Sequence, residues 1–214
     1  MSPAAPPSPA RPRALYGLLA CVRLTAFEER AADAGRTASY EDKVVLAGLA
    51  TGAFAQFERL RDRLIEAGAD PYEAMRPYQD AISAFHGRTR PADAMEALAK
   101  VYVADSILAD LYREAVAKTD PQTRSVVYES LADSGHAEIL TERLRAAAEN
   151  DARLASRLGL WTRRLVGEAL SQAHALAERG SEVGALFGDE DVATMFGRIV
   201  DRHQARMRAV DLRD

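Results

Sequence analysis

From about residue 13 onward, apolar positions recur at intervals of three and four, and they never alternate with polar ones as a half-buried strand requires. The chain reads as helix throughout. The pattern predicts helices over roughly residues 14–34, 39–68, 75–85, 91–118, 121–150, 151–179 and 190–210. Gly35, Gly87 and Gly180 serve as stops, Ser39 with Asp42 as a capping start, and Pro91 and Pro121 as first-turn prolines. At 1.5 Å per residue the longer members span about 30 to 45 Å. Helices of that length, in the order two long, a broken connection, two long, predict an all-α four-helix bundle of two hairpins joined by a crossover, with two additional C-terminal helices alongside.

Composition narrows this little. With 214 residues and 48% hydrophobic content, one core suffices, so residues 13–214 are expected to form a single helical domain behind a disordered Pro/Ala-rich tail over residues 1–12. The net charge of −4 is spread over interspersed acids and bases, which gives a nucleic-acid partner no support. Cys21 is the only cysteine, so no intrachain disulfide can form, and a reducing, cytoplasmic location is expected. No apolar run is long enough for a membrane span. Long apolar helix faces also suggest a homodimer.

The candidate chemistry lies in LADSGHAEI, where Asp133 and His136 are three apart and share a helix face. Bundle metal proteins place a carboxylate and an imidazole in this way, with a further carboxylate from the preceding helix. Glu96, 37 residues before Asp133, supplies that carboxylate. The equivalent positions of the first hairpin are Arg23, Ala53 and Gln56. One half of a two-metal site is absent.

The stretches RLTAF, FERLRDRL, MEALAKVYVADS, LADSGHAEI and LWTRRLVGEALSQA resemble actinobacterial ferritin-like proteins related to the diiron hydroxylases that modify a hypermodified adenosine in tRNA. The resemblance covers about residues 14–207 and implies a ferritin-like bundle. It also implies ligand positions at Glu96, Asp133, His136 and, on the fifth helix, Glu168. In those relatives the first hairpin reads GELTAF and AEFGHY; here Arg23 and Ala53 stand at its two glutamate positions and Gln56 at its histidine.

The expected function is therefore a non-catalytic binding or structural protein without a cofactor, its polar core held by Arg23, Glu96, Asp133 and His136. The competing expectation is a hydroxylase or oxidase with one iron or manganese ion on Glu96, Asp133 and His136, ligand types that suit either metal. Glu168 is either a supplementary ligand or a partner of Arg164. Trp161, Tyr102 and Phe57 are expected to pack, His86 to cap its short helix or face solvent, and His174 and His203 to lie on the surface. The Arg59 to Arg63 cluster, the turns near Arg143 and Glu28-Glu29-Arg30 are expected to be surface charge. Neither a phosphate loop nor a nucleophile elbow is present.

Overall fold

The computed structural model describes residues 10–116, 120–131, 136–178 and 192–212. Helix α1 covers Ala10–Arg36 and α2 covers Tyr40–Glu66, and the two pack along their lengths as a hairpin. Ser39 caps α2 by accepting the Asp42 backbone N–H. At the other end Gly68 takes φ 71, the left-handed turn that lets Ala69 N–H reach back to the Leu64 carbonyl. Asp70 then accepts from the N–H groups of Tyr72 and Glu73 to start α3, Pro71–Met75. A 3-10 turn over Arg76–Tyr78 contains Pro77 and leads into α4, Gln79–Arg88. Helix α3 lies so close to α1 that a Cβ at Gly17 would run into the Ala74 carbonyl.

The second half comprises α5 (Ala94–Val116), α6 (Pro121–Leu131), α7 (His136–Asn150), α8 (Ala152–Glu178) and α9 (Val192–Ala209). Helix α5 is the hub, packing on α1, α6, α7, α8 and α9. Three buried clusters surround it. Leu15, Leu19, Leu60, Leu64 and Tyr112 fill one, Ile107, Leu144, Leu158, Leu165 and Ile199 a second, and Leu46, Leu49, Leu98 and Leu140 a third. Each such aliphatic side chain contributes about 2 kcal/mol by leaving water. All of the described helices belong to one helical assembly, and no strand occurs among the described residues.

Several boundaries differ from expectation. Helix α1 already begins at Ala10, inside the segment expected to be tail. Gly87 does not end α4, which runs on to Arg88 with Thr89 as its C-cap. Pro91 precedes α5 rather than opening it, because Asp93 is the better cap: its carboxylate accepts the Glu96 N–H. The single helix expected over 121–150 is described as two segments, α6 and α7, with residues 132–135 between them outside the described set.

Helix α9 is fastened by charge. Arg198, Arg202 and Arg206, four residues apart, form one stripe. Arg198 and Arg202 donate to Glu114, Arg206 donates to Asp110 at 2.6 Å, and Arg202 lies 3.6 Å from Asp110. Asp110 is buried and also accepts from Arg113. The adjoining face of α9 carries Met195, Ile199, His203, Met207 and Val210, all buried. The surface position expected for His203 is therefore wrong, because it continues this apolar stripe. Among the described residues no helix is long and apolar enough to cross a membrane.

Candidate functional site

Arg23 and Arg30 are seven apart on α1. Two helical turns take 7.2 residues, so the pair leaves the helix in nearly the same direction. Both are buried, 3% and 7% exposed, and both point at α5. There Arg23 Nη1 and Arg30 Nη2 each donate to Asp105 Oδ1 at 2.8 Å. Arg30 Nη1 also donates to the Leu49 carbonyl on α2. Asp105 stands in an apolar run between Val103 and Ile107, where burial would raise its pKa. The two guanidiniums outweigh burial and hold the carboxyl below its ordinary value.

This ion cluster forms the wall between two cavities, since Arg30, Val101 and Asp105 line both. The more polar cavity, about 290 Å³, is bounded by Arg23, Ala53, Gln56, Tyr102, Asp105 and Arg206 among others. Arg23, Ala53 and Gln56, the first-hairpin positions expected to correspond to Glu96, Asp133 and His136, thus line one cavity. Arg23 Nε faces no acceptor although buried. Among the described lining residues Asp105 is the one carboxylate, and two cations already hold it. Nor do the described residues include any group of three His, Cys, Asp or Glu side chains able to hold a metal ion. The described donors by themselves therefore make no dinuclear iron centre; the side chains of Asp133 and His136 lie outside the described residues.

The remaining candidates lie elsewhere. Glu96 is nine residues before Asp105, about 13 Å along the α5 axis, beyond the reach of Arg23. Its carboxylate accepts the Ala92 N–H at 2.8 Å and the Arg157 guanidinium at 2.6 Å. With Asp93 as cap, Glu96 reaches back to the Ala92 N–H, one residue before the cap, in a variant of the capping box, and Arg157 ties both acids to α8. The expected contact between Arg23 and Glu96 is therefore replaced by one between Arg23 and Asp105. Asp133 lies outside the described residues. His136 opens α7, but its side chain is also outside the described set. Glu168 accepts from Arg88 Nε at 2.8 Å, joining α8 to α4. Its expected partner Arg164 instead donates to the Arg88 carbonyl and lies 5.9 Å from the Trp161 ring centroid.

Trp161 and Phe57 pack in the interior as expected, while Tyr102 walls the polar cavity. His174 is exposed. Arg61 pairs with Asp62 as charge on the outer surface, whereas Arg143 donates to the half-buried Asp42 and joins α7 to α2. Two expectations fail here. Arg30 is not surface charge, and the spacing of seven from Arg23 was the signal in the sequence. Asp105, isolated in VYVADSIL, carried the matching signal of an acid inside an apolar run. His86 does not face solvent either: with its side chain 12% exposed, it walls the second cavity.

That second cavity, about 150 Å³, lies among α1, α4, α5 and α8. Leu18, Val22, Ile82, Phe85, Leu108 and Tyr112 make it largely apolar. Its polar edge is Glu29, Asp33, His86 and Lys100 beside the ion cluster. Burial, with help from the Lys100 and Arg30 charges, pushes the His86 imidazole down to about 3, so it stays neutral. Burial likewise brings the Lys100 ammonium down to about 8, against the pull of Glu29 and Asp33. The Cys21 thiol, buried under α1, is pushed up to about 11 by desolvation and is inert at neutral pH.

Residues 12–190 match a family model described as a ferritin-like domain of actinomycetes, a span that takes in the α1–α8 assembly and stops before α9. No curated protein matches the chain.

Proposed function

This chain belongs to the ferritin-like domain family of actinomycetes, and from that premise we propose that it is a non-catalytic, small-molecule-binding member with a metal-free polar core. In this reading the core is a degenerate form of the dinuclear site of the tRNA hydroxylases that the sequence resembles. One observation carries it. Arg23 and Arg30 both close on Asp105 in the cavity where Ala53 and Gln56 also face.

A divalent cation about 5 Å from one guanidinium is repelled by roughly 6 kcal/mol at an effective dielectric of about 20. Two guanidiniums make the position a poor one for iron. They also supply the positive charge that a half-buried carboxylate in an apolar setting needs, which is the electrostatic task a metal would otherwise perform. The second cavity supports binding over catalysis: its walls are apolar, and its polar groups gather at one edge.

The test is elemental analysis of untagged protein, followed by anaerobic iron(II) addition and exposure to dioxygen under ultraviolet-visible monitoring. The expected result is substoichiometric metal and no new absorption band. Close to two irons per chain would overturn the proposal. One tight iron per chain, lost in His136→Ala, would replace it with the mononuclear oxidase reading on Glu96, Asp133 and His136.

A further inference from the structure

The chain contains 28 lysines and arginines, of which only Lys43, Lys100 and Lys118 are lysines. Lys43 lies over the Tyr40 ring, Lys118 is outside the described residues, and Lys100 is 5% exposed in the wall of the apolar cavity. A chain that uses arginine for nearly every cation thus has a primary amine at a buried position in the wall of an apolar cavity. The Lys100 Nζ makes no hydrogen bond to another residue and lies 5.7 Å from the centre of the Phe85 ring. A structural cation would be expected to take a partner, since an unpaired buried charge is costly. Arginine, which cannot shed its proton, takes that structural role at Arg23 and Arg30.

We propose that Lys100 captures a small apolar aldehyde as an imine in the cavity between α1, α4, α5 and α8. The inference rests on the reading of this bundle as a binding protein and names the class of ligand. The nitrogen lone pair attacks the carbonyl carbon and the C–N bond forms. The carbonyl oxygen takes two protons and leaves as water. Ammonium plus aldehyde gives iminium plus water, so charge is conserved and no oxidant or reductant is needed.

The surroundings suit each side of that balance. Burial lowers the amine to about 8, which raises its free-base fraction at pH 7 roughly 300-fold over that of an ordinary lysine. The iminium that results faces Glu29 and Asp33, whose charges already act on Lys100. Arg30 and Arg36 act against that charge, and neutral His86 adds no further cation. The apolar walls keep water away from the product, and a cavity of about 150 Å³ admits a benzene-sized molecule. A carboxylate ligand fits less well, because Glu29 and Asp33 would repel it.

The experiment incubates the full-length protein with cinnamaldehyde, hexanal or, as a polar control, glyoxylate, in the presence of sodium cyanoborohydride. Intact mass and peptide mapping are then read over time. The expected result is one addition per chain, on Lys100, at least tenfold faster than on Lys43. It should be faster with the apolar aldehydes than with glyoxylate, and absent in Lys100→Met. Labelling of Lys100 no faster than of Lys43, or without preference for the apolar aldehydes, overturns the inference. Folding of the variant is checked by circular dichroism, and Lys100→Arg, which keeps the charge but cannot form the imine, provides a second negative control. Iron content is measured on the same samples. A loaded metal centre with Lys100 labelled would sink the non-catalytic reading and leave the imine standing, and an iron-free protein with Lys100 unlabelled would do the reverse.

Discussion

Replacing Asp105 with asparagine keeps the shape of the side chain and removes the charge on which two buried guanidiniums converge. At 2.8 Å each, the two ion pairs are worth roughly 6 kcal/mol apiece in gross attraction at an effective dielectric of about 20. Most of that is offset by stripping water from three charges and by repulsion between Arg23 and Arg30. The Asp105 side chain also retains about a third of its exposure, which screens it further. Breaking a buried pair from one side costs about 3 to 5 kcal/mol, and with that screening the lower end, about 3 kcal/mol, is the expected loss. For a domain of this length the melting temperature should fall by about 6 to 12 °C. Urea denaturation at pH 7, with the m-value compared between variants, measures the loss directly. In the triple variant Arg23→Met, Arg30→Met, Asp105→Leu, stability should return toward that of the native chain, since the buried charge vanishes with its partners. A loss below about 1 kcal/mol in Asp105→Asn would mean that the cluster behaves as a surface ion pair and would refute the argument that it replaces a metal.

Gly17→Ala should destabilise by about 1 to 3 kcal/mol, because the new methyl meets the Ala74 carbonyl. Gly35→Ala, with open space around it inside the same helix, should instead gain up to about 1 kcal/mol, and thermal melts of the two variants compare them. Asp110→Ala strips Arg206 and Arg113 of a buried acceptor and should cost about 3 kcal/mol; limited trypsin digestion should then cut within α9 before the rest of the bundle. In pH titrations of stability, Lys100 has a folded pKa of about 8 against 10.5 unfolded, so between those values only the unfolded chain holds the proton and stability from this group rises with pH. The groups facing it are Glu29, Arg30, Asp33, Arg36 and His86, and the difference between native protein and Lys100→Met isolates its share. His86, at about 3 against 6.5, acts on the acid side: stability present above 6.5 is lost as pH falls toward 3, and His86→Phe should flatten that limb.

The three- and four-residue periodicity determined the class of fold and most of the helices, because most helices here bury one face and expose the other, while α1 over 14–21 and α5 over 96–103 are buried nearly all round. The helical pattern together with the family resemblance singled out Arg23, Ala53 and Gln56, and the structure brings them to one cavity. Boundaries were less legible. Glu96 reads equally as a helix-start carboxylate and as a ligand position, and only its bonds to the Ala92 N–H and to Arg157 on α8 decide for the former. The partner of Arg23 could not be read at all. Periodicity fixes which way a side chain leaves its own helix, but how far two helices are displaced along their axes is set by packing between them. That displacement places Asp105 rather than Glu96 opposite α1, and it encloses His86, Lys100 and Arg30 in walls that no single segment foretells.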